Sequence, residues 1–365
     1  MKNYCPDLFQ NLYIQKLNEY EIQLGFCCVS RLSEPLDSIN FEANFLQSQR
    51  QHFINTDTLP PSCNQCITNE KINSTSRRLQ QLTYWPNHNF STKNNLKLLQ
   101  YNCDNICNLK CIACSGLYSS SWLEDEKLLG MLDNVKIKPT KHNELLFNFD
   151  VSNIREIYFN GGEPLLTKDH IKVLEYMLNS ADSKNIHILY NTNATLTLKD
   201  EFLKLWEKFA SVTLIASIDA VDTAFEYIRY PADWNNVKNN LMNYSKYTKI
   251  NIGANIGVHN IMYFSDLYNF ATENNIQFNF QSDTQGKLSL KNTPRHLIGK
   301  IKNYLAQAQD STVKETLLST LDSVRSPDLD WIRYLGKLDK IRNNSWKVSL
   351  SRLYNLDQEF FNNNG

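Results

Sequence analysis

Asn102-Cys103-Asp104-Asn105-Ile106-Cys107-Asn108-Leu109-Lys110-Cys111-Ile112-Ala113-Cys114 is the stretch that decides how this chain is read. Cys107, Cys111 and Cys114 are spaced C-x3-C-x2-C directly after an apolar run, Leu96 to Tyr101, that reads as a strand. Three thiolates on one loop can hold three irons of an iron–sulfur cubane. Such clusters ordinarily take four cysteines, so one iron is left open. A loop that follows a parallel strand projects at the carboxyl end of the sheet, where α/β folds and barrels place their sites. The residues alone leave zinc open as well, because Cys63/Cys66 and Cys111/Cys114 are C-x2-C pairs of the kind that build tetrahedral zinc sites. Cys103 repeats the x3 spacing ahead of Cys107, but the loop is complete without it, and it reads as a buried structural thiol.

Outward from this loop, short apolar runs alternate with helical patterns, which predicts β/α units and a mainly parallel sheet. Six strands are predicted: Leu96 to Tyr101, Ile154 to Phe159, Ile186 to Tyr190, Val212 to Ile218, Ile250 to Ile256 and Ile276 to Phe280. Helices are predicted at His170 to Leu178, through Ile171, Leu174, Tyr176 and Leu178, and at Leu198 to Phe209, through Leu203, Leu205 and Trp206. After Pro294 the pattern is helical only, with Leu297, Ile298, Ile301, Leu305, Leu317, Leu318 and Leu321 at helical spacing. Tyr84 to Asn95 reads as a connector and Lys136 to Phe149 as an insertion. Phe361-Asn362-Asn363-Asn364-Gly365 is expected to fray.

The 365 residues give about 2.4 on the soft domain prior, so two domains or a large barrel with an appended module are expected. Lys+Arg and Asp+Glu both number 38, and a net charge of zero argues against a polyanion-coating protein held by counterion release. No nucleic-acid partner is evident. The chain is 42% hydrophobic and 21% charged, the profile of a globular protein. No apolar run approaches the roughly 18 residues of a membrane span, and the start lacks a signal-peptide core, so no membrane association and a cytoplasmic location are expected. All nine cysteines precede residue 115. In a reducing compartment that clustering points to metal ligation before disulfides.

A second motif, Gly161-Gly162-Glu163-Pro164, ends the second predicted strand. Paired glycines let backbone approach a ligand closely, though Gly-Gly before a helix is also an ordinary β/α turn. Polar groups end the later strands: Asn191-Thr192-Asn193, then Ser217-Ile218-Asp219, then Arg229 within Glu226 to Pro231. By residue type alone Asp219 reads as a helix cap and Asn191 to Asn193 as a turn. Asn255-Ile256-Gly257-Val258, near the end of the fifth predicted strand, reads as core from its apolar alternation.

The cysteine loop followed in this order by Gly-Gly-Glu-Pro resembles the radical S-adenosylmethionine superfamily. That resemblance implies an α/β fold, a partial (β/α)6 TIM-like barrel with a small Cys-rich amino-terminal module and carboxyl-terminal helices. It implies that Cys107, Cys111 and Cys114 hold a [4Fe-4S] cluster, and that S-adenosyl-L-methionine chelates the open iron and is cleaved to a 5′-deoxyadenosyl radical. Gly161, Gly162, Glu163 and Pro164 then contact the methionyl amino group, and Thr192 or Asn193, Ser217, Asp219 and Arg229 lie toward the ribose and methionyl carboxylate. Ala113 departs from the aromatic residue common before the last cysteine.

Cys63-Asn64-Gln65-Cys66, followed by Glu70, Ser76 and Arg78 and preceded by Cys5 and Cys27-Cys28, resembles the auxiliary-cluster module called twitch, a shortened SPASM module. Cys5, either Cys27 or Cys28, Cys63 and Cys66 would close a second iron–sulfur site, with zinc equally acceptable on ligand grounds. The implied modules are 1–90, 91–290 and 291–365. The implied activity is hydrogen abstraction from a peptide or protein, supplied with electrons by a flavodoxin or ferredoxin. The alternatives are radical modification of a sugar or nucleotide, and a non-catalytic zinc or iron–sulfur scaffold.

Overall fold

Each of the six apolar runs forms a strand whose ends lie within two residues of those predicted. The computed structural model describes residues 4–16, 21–35, 44–73, 76–85, 95–131, 149–282, 286–308 and 311–364. Most of the predicted connector and insertion lies outside the described residues. In chain order the described elements begin with α1 (Pro6–Gln10), β1 (Asn11–Lys16), β2 (Glu21–Gly25), β3 (Arg31–Pro35), α2 (Asn44–Thr56), α3 (Asn64–Asn73) and α4 (Arg77–Tyr84). The β/α succession follows: β4 (Leu98–Asn102), α5 (Trp122–Leu128), β5 (Glu156–Asn160), α6 (Asp169–Ser180), β6 (His187–Thr192) and α7 (Asp200–Trp206). It continues with β7 (Ser211–Ser217), α8 (Asp222–Ile228), α9 (Trp234–Tyr244), β8 (Lys249–Ile256), α10 (Phe264–Glu273) and β9 (Gln277–Ser282). Helices end the chain: α11 (Ile298–Ala306), α12 (Ser311–Asp322), α13 (Asp330–Arg342), α14 (Trp346–Ser349), α15 (Ser351–Tyr354) and α16 (Gln358–Asn364). The fold is α/β, with six strands from β4 to β9 each followed by helix, the succession of a partial (β/α)6 barrel.

The chain packs as two compact units. The first comprises Met1–Ile106, Ile137–Asn191 and Leu198–Thr213, and the second Cys107–Lys136, Thr192–Thr197 and Leu214–Gly365. Within the first, the strands run β3-β2-β1-β4-β5-β6. β1 pairs antiparallel with β2 but parallel with β4, from Asn11 opposite Leu98 to Gln15 opposite Asn102. The cysteine-rich amino-terminal stretch therefore extends the parallel sheet. β4 is buried at all five positions, as a strand covered on both faces must be.

An aromatic cluster seats α6 and α7 on this sheet. Phe159 stacks on Tyr190 at 4.8 Å, and the ring of His170 meets Phe202 at 4.9 Å. The Tyr190 hydroxyl lies 2.8 Å from His170 Nδ1 and accepts the Trp206 indole N–H at 3.3 Å. The buried stripe of α6 is His170, Val173, Leu174 and Met177, while Ile171, Tyr176 and Leu178 sit at its half-exposed margins. On α7 the buried pair is Phe202 and Trp206, not Leu203 and Leu205. On α7 the predicted Trp206 is buried and Phe202 takes the place given to the leucines, while on α6 only Leu174 of the predicted residues lies in the buried stripe.

In the second unit β8 and β9 pair parallel, from Asn251 opposite Gln277 to Ile256 opposite Ser282. Leu297, Ile301, Leu305, Leu317 and Leu321 are buried as predicted, with Ile298 and Leu318 at the edge. The predicted fraying of the end is corrected through Asn364. Phe361 is fully buried against Trp346 at 5.3 Å and Trp331 at 6.0 Å, and that anchor holds α16 in place. Among the described residues, no helix is long and apolar enough to cross a membrane.

His170 supplies a pH test of the first unit. Burial holds its imidazole at about 4 in the folded chain, against an unfolded value near 6.5. Unfolding takes up a proton between these values, so this contribution is complete above pH 6.5 and falls toward pH 4, by up to about 3 kcal/mol. Urea denaturation of His170→Gln across this range is expected to show a shallower fall than the parent; parallel slopes would contradict it.

Candidate functional site

Residues 103–121 contain neither helix nor strand, so the polar backbone of the cysteine loop needs partners from outside regular structure. In the second unit it finds them. Lys110 and Ile112 donate their N–H groups to the carbonyls of Tyr230 and Ile228, at 2.6 and 2.8 Å. The carbonyls of Cys107, Leu109 and Cys111 accept from Ser121 Oγ, Ser119 Oγ and Trp122 Nε1, at 2.7, 2.6 and 2.8 Å. The Tyr334 hydroxyl donates to the Ile112 carbonyl at 2.7 Å.

This framework leaves the three thiols half-buried. Cys107 Sγ accepts the Leu109 N–H at 3.4 Å and the Asn193 side-chain amide at 3.8 Å, and Cys111 Sγ accepts Arg229 Nη1 at 3.8 Å. Burial pushes the Cys111 thiol up and that of Cys114 to about 12, with the neighbouring cysteines adding to the latter. N–H groups aimed at sulfur work the other way, favouring the thiolate that a metal requires.

Arg229 is committed on two sides. Its Nη2 pairs with Asp219 Oδ2 at 2.7 Å, its Nη1 reaches Cys111, and among the described residues its Nε has no hydrogen-bond partner. Asp219 also accepts the Asn255 N–H at 2.8 Å, and its carbonyl accepts the Asn260 amide at 2.9 Å. It does not cap α8, whose cap residue is Val221. Thr192 and Asn193 close a turn by accepting the N–H groups of Ala194 and Thr195, at 3.1 and 3.0 Å. Ser217 ends β7 half-buried, and Ile256 and Val258 are wholly buried core. The second unit thus gathers Cys107, Cys111, Cys114, Asn193, Asp219 and Arg229.

Gly161 to Pro164 belong to the first unit. Gly161 has φ +119°, and a Cβ on it would lie 2.6 Å from the Asp104 carbonyl oxygen. One on Gly162 would lie 2.2 Å from the carbonyl oxygen of Ile106, the residue that leads into Cys107. The N–H groups of Gly162 and Glu163 donate to the Asp104 and Ile106 carbonyls at 2.7 and 2.8 Å. The glycines are needed for this close backbone contact, and the buried Glu163 carboxylate caps the turn begun by Pro164 by accepting the Leu165 N–H.

The amino-terminal cysteines also lie in the first unit. Cys5, Cys27, Cys63 and Cys66 line one cavity with Arg77 and Arg78, while Cys28 is exposed and outside its lining. Arg77 pairs with Asp7 at 2.6 Å, and Arg78 pairs with Glu70, which also accepts Ser76 Oγ. Burial pushes up the thiols of Cys5 and Cys27, and that of Cys63 to about 12. Cys103 is buried, its N–H bonded to the Asn160 carbonyl at 3.0 Å.

Among the described residues, no three His, Cys, Asp or Glu side chains converge tightly enough for one metal ion. A single zinc draws its sulfurs to about 2.3 Å of one point, whereas a cubane gives each thiolate its own iron. Three thiols in one set and four in the other are donors that either zinc or an iron–sulfur cluster accepts. The sequence reading missed Trp122, Asp125, Tyr334 and Arg342, all of which serve the loop. The burial of Arg342, though not its pairing with Asp125, was detectable, since it continues the buried spacing of Trp331, Leu335 and Leu338 along α13.

No protein-family profile and no curated sequence matches the chain. Among solved structures it is similar to a histidine-tagged anSMEcpe with bound AdoMet, at 21% identity and TM-score 0.41, over 57% of this chain and 57% of that one. It is also similar to Streptococcus suis SuiB bound to S-adenosylmethionine, at 16% identity and TM-score 0.38, over 82% and 70% of the two chains. For SuiB bound to precursor peptide SuiA the values are 15%, 0.36, 80% and 67%. The chain therefore spans about 57% of the length of anSMEcpe.

Gly162→Ala must displace the backbone at Ile106 and is expected to cost about 2–3 kcal/mol of stability. An unchanged urea midpoint would show that the close approach is not required.

Proposed function

We propose that this chain is a radical S-adenosylmethionine enzyme, with Cys107, Cys111 and Cys114 as the three protein ligands of a [4Fe-4S] cluster. The observation that carries the reading is the cysteine loop itself, with N–H donors from Leu109, Asn193 and Arg229 turned toward two of its sulfurs. When bound, the cluster and S-adenosyl-L-methionine would supply a 5′-deoxyadenosyl radical for hydrogen abstraction. The chain's own part is to hold and order the ligands. Gly161 and Gly162 keep the run-in to Cys107 fixed, with Glu163 and Pro164 shaping the turn. Thr192, Asn193, Ser217 and Asp219 form the polar rim toward the nucleoside, and Arg229 offers a carboxylate the part of its fork that Asp219 leaves free.

Cys5, Cys27, Cys63 and Cys66 form a second, closed site. Cys27 takes the place over Cys28 because it is buried and shares the cavity of the other three. Arg77 and Arg78 line the same cavity, each paired with a carboxylate, Asp7 and Glu70. A site closed by four cysteines suits electron transfer, with a flavodoxin or ferredoxin as donor to the chain. Residues 1–90 then serve as the auxiliary module, 91–290 as the catalytic one and 291–365 as its helical support. The twitch-like module supports a peptide or protein substrate over a sugar or nucleotide.

Anaerobic reconstitution followed by dithionite reduction tests this. The parent chain is expected to release 5′-deoxyadenosine, and Cys107→Ala, Cys111→Ala and Cys114→Ala are expected to release none. Cys27→Ala should lose the iron of the second site, whereas Cys28→Ala should keep it. Zinc uptake without cleavage of S-adenosylmethionine would reject the proposal in favour of a scaffold.

A further inference from the structure

Helix α13, in the carboxyl-terminal helical stretch, reaches the cysteine loop from two sides, all within the second unit. On one side the Arg342 guanidinium lies 4.7 Å from the Trp122 ring and 5.0 Å from that of Tyr230. Its Nε pairs with Asp125 at 2.9 Å, both side chains being 3% exposed, and the other oxygen of Asp125 takes Lys110 Nζ at 2.7 Å. Lys110 stands between the first two cysteines, and Trp122 holds the Cys111 carbonyl. On the other side Asp339 accepts the Tyr227 hydroxyl at 2.8 Å, tying α13 to α8, which ends at the carbonyl that receives the Ile112 N–H. Tyr334 closes the arrangement at the Ile112 carbonyl.

A buried Arg–Asp pair flanked by two aromatic faces is costly to desolvate, and its geometry is fixed only if every partner is in place. A helix used only to cover apolar core would need none of it. We propose that α13 is the positioning element of the cysteine loop, with Arg342 and Tyr334 fixing the spacing of Cys107, Cys111 and Cys114. The inference rests on the proposed function for its meaning, but its test does not.

Hydrogen exchange of the full-length, metal-free chain reads the loop directly at the Lys110 and Ile112 amides. Arg342→Met, which keeps an unbranched side chain over Trp122, is expected to speed exchange across 107–114 by tenfold or more and leave β8 and β9 unchanged. Tyr334→Phe, which removes one hydrogen bond, is expected to give a smaller, severalfold increase in the same peptide. In the reconstituted chain both should broaden the electron paramagnetic resonance signal of the loop's cluster without altering that of the second site. Unchanged loop exchange in both variants overturns the proposal. If Arg342→Met loosens the whole unit, Tyr334→Phe decides. A loop response without S-adenosylmethionine cleavage would keep the clamp and reject the enzyme; cleavage without a loop response would do the reverse.

Discussion

In the proposed site three thiols must be held at fixed spacing by a stretch of chain that has no helix or strand of its own. Irregular backbone can be that well ordered only when its N–H and C=O groups are satisfied from elsewhere. Here the suppliers are the end of α8, the serines and tryptophan just before and within α5, and a tyrosine of α13. Their side chains and carbonyls therefore order the loop that carries the cysteines.

The same demand explains the charges buried around the loop. Arg229 faces both Asp219 and Cys111, and Arg342 and Lys110 share Asp125. Each is a cation kept close to sulfur or to the loop and balanced by a carboxylate, which limits the penalty of burial while leaving N–H groups where a thiolate would benefit. At the amino-terminal cysteines Arg77 with Asp7 and Arg78 with Glu70 repeat the pattern on unrelated local structure.

Local signals in the sequence reached a good distance. Strand positions followed from apolar runs, because β-branched and aromatic residues between polar turns leave few other choices. The glycine pair marked the run-in to the loop, because a Cβ on either glycine would meet the Asp104 or Ile106 carbonyl. What escaped was non-local. Arg342 reaches Asp125 across 217 positions and Tyr334 reaches Ile112 across 222, and no local pattern encodes such a pairing. The docking of Phe361 was missed for the same reason, since its neighbours Trp331 and Trp346 are the signal and its own asparagine-rich surroundings are not. Nor could spacing choose between Cys27 and Cys28; only burial separates them.

In the proposed site three cysteines of one loop leave a metal position open to a small ligand. Electron paramagnetic resonance of a reconstituted, reduced chain carrying Cys63→Ala and Cys66→Ala addresses it most directly. A single reduced cluster whose spectrum changes when S-adenosylmethionine is added is the expected result. A spectrum indifferent to that addition, or no cluster at all, would contradict it.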